Sequence, residues 1–148
     1  MRTAAGVLFS ACLFAACAKR GVDATPDGVV RAFIERIEQS SEEPMSRKAA
    51  FELLGPKSRA NLEIRATRLS QVLGRPVQPY EVLAQGWVFQ RFAPKAVISL
   101  GGGLVRITGE HVETDRAEFQ CVKVGDVFRV ELALPDVPAP IDANPTLR

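Results

Sequence analysis

Two hydrophobic periods divide the chain. Val30, Phe33, Ile34 and Ile37 recur at helical spacing behind Thr25-Pro26-Asp27. A threonine N-cap, a proline at the first helical position and an acid in the first turn complement the free N–H groups of a helix start. The spacing predicts a helix from there to about Gln39. A second helix is predicted behind a Ser46 cap, with Ala50, Leu53 and Leu54 inward and Gly55-Pro56 closing it. Ser58 opens a third, with Leu62, Ala66, Leu69 and Val72 or Leu73 on one face and Gly74 as its stop. Pro76 and Pro79 bracket a linker before a short helical turn over 80–84, and 86–92 has no clear period. From Ala96 the period becomes two. Strands over 96–100 and 104–108 flank a Gly101-Gly102-Gly103 turn, and 111–114 continues or follows the second of them. Next, Phe119 and Cys121 alternate with Glu118 and Gln120. After a Gly125-Asp126 turn, Phe128, Val130 and Leu132 alternate with Arg129 and Glu131. Such strands fit an antiparallel sheet covered on one face. Helices followed by a strand meander predict an α+β fold, with N-terminal helices packed on a curved antiparallel sheet.

The N-terminus has a different pattern. One cation, Arg2, precedes an uncharged run from Ala4 to Ala16. Thirteen residues are too few to cross a hydrocarbon core, which takes roughly 20 helical residues. The run also has no polar face with which to sit on a domain surface. A basic start, a short apolar middle and small residues before a polar stretch is the layout of a secretory signal. The run ends in Phe14-Ala15-Ala16-Cys17, then Ala18-Lys19-Arg20. This resembles the lipobox of bacterial lipoproteins, with Phe14 where that family usually has leucine. A weaker frame ends at Cys12, and ordinary secretory cleavage after Ala18 competes with both. The resemblance implies cleavage before Cys17, acylation of its sulfur and amino group, and membrane lipid as a partner. Ala18 in place of aspartate leans the expected address in the cell envelope, facing the periplasm, towards the outer membrane.

Cleavage would leave 132 residues with a formal charge of +1, enough for one core and too weakly charged for a nucleic-acid partner. Cys121 would then lack an internal disulfide partner. The expected organisation is a signal over 1–16, a tether over 17–24, one domain over 25–134 and a proline-rich extended tail over 135–148. Residues 25–133 resemble the NTF2-like (cystatin-like, cone-shaped) superfamily in the Thr25-to-Phe33 helix opening, in the order of three helices then a sheet, and in the hairpin over 119–132. That resemblance implies a pocket between sheet and helices, where enzymes of the superfamily often place an acid or an Asp/His pair.

No catalytic set, cofactor or metal site is expected. The single histidine, His111, has Glu110, Glu113 and Asp115 nearby, but Glu110 falls on the opposite face of an extended strand. Cys121 shares its face with Phe119, as a small buried hydrophobe does. The triglycine precedes a strand, and so lacks the helix N-terminus of a phosphate loop. Lys57 to Arg75 carries five cations against Glu63, as a solvated helix face does. Tyr80, Trp87, Phe92 and His111 are the candidate lining of an apolar pocket, with Phe89 beside them. Two functions stay open: a non-enzymatic binding or assembly module with an envelope protein partner, or a small NTF2-like enzyme or apolar-ligand carrier.

Overall fold

The computed structural model describes residues 21–41, 43–83 and 93–137. Cys12, Cys17, Trp87, Phe89 and Phe92 lie outside these residues. Helix α1 spans Pro26–Gln39, α2 Pro44–Glu52 and α3 Pro56–Leu73, followed by a 3₁₀ turn at Pro79–Glu81. Strands β1 (Ala96–Gly101), β2 (Leu104–Thr108), β3 (Arg116–Val124) and β4 (Val127–Glu131) form an antiparallel meander in chain order. The architecture is α+β.

Helix α1 starts as its sequence predicts, with the Gly28 N–H donating to Thr25 Oγ1 at 3.2 Å. Its stripe of Val29, Val30, Phe33, Ile34 and Ile37 is buried. Opposite stand Val105, Ile107, Phe119, Cys121 and Val130 from the inner face of the sheet, completing one core. The Phe33 and Phe119 rings meet edge to face, with centroids 6.4 Å apart. Phe128 packs at the margin of this core and is only partly buried. Register pairs Val105 with Phe119 and Cys121 with Val130, so the period-two reading of these strands holds.

Helix α2 begins at Pro44, ahead of the expected Ser46 cap. Ser46 lies inside the first turn, buried, with its hydroxyl donating to Glu43 Oε2 at 3.1 Å. Proline pre-sets the first helical φ and needs no N–H partner, so it opens the helix three residues earlier, with Glu43 at the cap position. Pro56 acts the same way for α3, displacing Ser58 into its first turn. Of the α3 stripe, Leu62 and Ala66 are buried, but Leu69, Val72 and Leu73 are exposed.

The edge of β4 is closed by chain from elsewhere. The Val130 N–H donates to Leu53 O at 2.9 Å and the Gly55 N–H to Val130 O at 2.8 Å. Residues 21–24, expected as tether, form a turn against the same strand. The Phe128 N–H donates to Asp23 O at 2.8 Å, and Arg129 pairs with the Asp23 carboxylate at 2.6 Å. At the other end, Pro135 O accepts from Asn61 at 3.2 Å and from Arg65 at 2.6 Å, so the chain stays on α3 past the last strand.

Candidate functional site

His111 lies in the β2–β3 connection, which is a closed turn rather than a strand continuation. The His111 N–H donates to Asp115 Oδ2 at 3.1 Å, and the Gly109 N–H to Asp115 O at 2.8 Å. Asp115 therefore serves the loop backbone, and the His111 side chain is exposed. Tyr80 sits in the 3₁₀ turn, which packs against α2 and α3. Among the described residues no hydrogen bond or ion pair joins Tyr80 to His111. Next to Tyr80, the Gln78 N–H and then the Arg75 guanidinium hold the Glu81 carboxyl below the usual range.

Cys121 projects from β3 into the core beneath the start of α1. Its thiol approaches Pro26 O at 3.6 Å. Burial, with the Asp27 charge adding to it, pushes the thiol up to about 11. A nucleophile needs the opposite, a lowered pKa or an adjacent base. Among the described residues no three His, Cys, Asp or Glu side chains gather at metal-binding distance.

The cations of α3 are held more tightly than a solvated face requires. Arg59 lies over the Phe51 ring, 5.6 Å from its centroid, and donates to Leu54 O at 2.9 Å and to Glu52 O. Arg65 bonds Asn61 and Pro135, and Arg75 pairs with Glu81 at 3.3 Å. At the start of α3, the Glu131 carboxylate accepts from Lys57 N at 3.1 Å, Ser58 N at 2.8 Å and Ser58 Oγ at 2.6 Å. An acid supplied by β4 thus caps a helix N-terminus, where the backbone N–H groups and macrodipole favour negative charge. Gly55 makes room for it, since a Cβ there would stand 2.2 Å from Glu131 Oε1.

Among the described residues two concave surfaces stand out. A groove of about 180 Å³ runs between α1 and β1, with Ile34 and Val97 beneath and Arg31, Lys95, Glu35 and Glu38 along its rims. β1 itself, Ala96-Val-Ile-Ser-Leu-Gly101, carries no charge and is the terminal strand of the sheet. Its outer edge has one side-chain partner among the described residues, Arg31, which donates to Val97 O at 3.1 Å. Uncharged edge strands are templates for added strands, and an adjoining groove gives side chains of such a strand a place to sit. The second surface, a cleft of about 270 Å³, lies between the α2–α3 junction and the β3–β4 hairpin. Leu54, Pro56, Arg59, Val124 and Arg129 line it. Neither surface contains Tyr80 or His111. The β1 edge escaped the sequence reading because strand order is not visible from alternation. Its lack of charge was the available signal.

Comparison with known protein families, with curated proteins and with solved structures finds no match to this chain.

Proposed function

We propose that this chain is an exported lipoprotein, anchored in the bacterial cell envelope through an acylated Cys17, whose domain is a non-enzymatic binding or assembly module. The observation that carries the anchor is the uncharged run behind Arg2 that ends in Ala15-Ala16-Cys17, and the first described residue beyond it is exposed. Gly21, the residue whose carbonyl accepts from Ala24 N at 3.0 Å, stands four positions beyond Cys17 and is exposed. A terminus created at Cys17 would emerge at the surface, where acyl chains can leave the protein for the bilayer. Each methylene they bury contributes about 0.8 kcal/mol, so several chains anchor firmly. The Ala18 position leans the address towards the outer membrane, with the domain in the periplasm.

The binding role draws its support from the placement of reactive side chains. Cys121 is buried with a raised pKa, and Asp115 is committed to the loop that holds His111. The α1–β1 groove beside an uncharged edge strand suits an extended segment of an envelope protein partner. An NTF2-like cone is the finer form of the same α+β reading; three helices ahead of an antiparallel sheet agree with it.

The test of the anchor is metabolic labelling with an alkyne fatty acid. Wild type is expected to take the label, whereas Cys17→Ser remains unlabelled and accumulates as precursor. Equal labelling of both would remove Cys17 from the account.

A further inference from the structure

The first described residues lie against β4. Asp23 is held on β4 next to the β3–β4 turn, by the Phe128 N–H at 2.8 Å and by Arg129 at 2.6 Å. Val124 pairs with Val127 at that same turn. Two apolar side chains are therefore exposed at this end, Val22 at 63% and Val124 at 44%. Lys123 is exposed beside Val124. Arg59, across the cleft from Val124, directs its donors to carbonyl oxygens rather than to a carboxylate, so its charge is not neutralised there. Of the acids nearby, Asp23 is paired with Arg129 and Glu131 is bound to the α3 N-terminus. Asp126, in the turn, is exposed, and Asp27, half-buried, stands at the start of α1 near Val22 and Cys121.

From these positions we infer that the β3–β4 hairpin tip, with Val22, Lys123, Val124 and Arg59, is the face that rests on an anionic lipid surface. The inference rests on the proposed acylation of Cys17. Four residue steps from Cys17 to Gly21 reach at most about 14 Å. Strand β3 runs eight residue steps from Val124 back to Arg116, about 26 Å, before the loop over 109–115 begins. A tether of that length holds its root, and the hairpin tip beside it, within about 14 Å of the bilayer, whereas the distal loop stands at the far end of β3. Valines bury apolar surface at the headgroup boundary, and Lys123 and Arg59 are attracted to anionic headgroups within a Debye length.

The test uses full-length protein purified from envelopes in detergent and placed in vesicles of phosphatidylethanolamine and phosphatidylglycerol carrying a headgroup nitroxide quencher. An environment-sensitive fluorophore is attached to Val124→Cys, to Val22→Cys or to Val112→Cys, which lies in the distal loop and is 63% exposed. Cys121, buried with its thiol pushed up to about 11, stays silent towards the label. The mass of the N-terminal peptide is read on the same preparations. The expected result is an acylated Cys17 peptide, a blue shift and loss of emission at Val22→Cys and Val124→Cys, and no change at Val112→Cys. An acylated peptide with equal quenching at all three positions would overturn the proposed face while leaving the anchor intact. A peptide without acyl mass would overturn both.

Discussion

Glu131 shows how one side chain can hold two layers together. Its carboxylate takes both backbone donors at the start of α3 and the Ser58 hydroxyl, and Ser58 Oγ accepts from Leu132 N at 2.7 Å. Ser58 is 1% exposed, so water does not replace what it provides. Ser58→Ala strands the Leu132 N–H and removes a donor from a carboxylate, which should cost about 1–3 kcal/mol in urea unfolding. An unchanged midpoint would show that the cluster is ornamental. Alternation placed Glu131 correctly on the face opposite Val130. It does not reveal that another element covers that face at β4, because the period of a strand says nothing about what lies across from it.

Cys121 gives a second test at this scale. Its thiol titrates near 11 when folded against an ordinary 9.0, because burial opposes the thiolate. The folded state thus retains a proton that the unfolded chain loses. Stability from this source is complete below about pH 9 and declines as pH rises towards 11. The whole effect amounts to about 2–3 kcal/mol. Cys121→Ala should show a shallower fall in melting temperature across that window than wild type, although its starting stability differs. Parallel curves would contradict the buried, protonated thiol.

Among the elements, α3 separates pattern from partner. Leu62, Ala66, Leu69 and Leu73 form one stripe by spacing, yet Leu62 is 0% and Leu73 54% exposed. The start of α3 is tied to Glu131 of β4, and the helix also packs against the 3₁₀ turn, yet neither covers Leu69, Val72 or Leu73. Helical periodicity identifies a stripe but not the extent of the surface that meets it. Leu62→Ala should cost about 2–5 kcal/mol, through lost transfer energy and a cavity. Leu73→Ala should stay within about 0.5 kcal/mol, as exposed substitutions do. Similar losses, measured by denaturant titration, would mean that the exposed half has a partner. Element starts were legible where a side chain caps, as at Thr25. They were displaced where proline leads, at Pro44 and Pro56, since proline shares the helix-start role with the serines that follow.

At the scale of the molecule, the order of periodicities was enough to give three helices, then an antiparallel meander with its inner face covered. Its ends were not legible. Asp23 and Pro135 lack the apolar character that marks a core residue, and both are held by polar contacts to chain at least 70 positions away. The pocket constellation was legible only as a list of uncommon side chains, of which the described residues contain Tyr80 and His111, unlinked. The proposed anchor stands on the N-terminal sequence, in which the uncharged run ends at Ala15-Ala16-Cys17. The most direct measurement is the intact mass and N-terminal peptide of the protein isolated from membranes. The account predicts a chain beginning at Cys17, with diacylglycerol on its sulfur and an acyl group on its amine. A chain that begins at Met1 or after Ala18, without acyl mass, would contradict it.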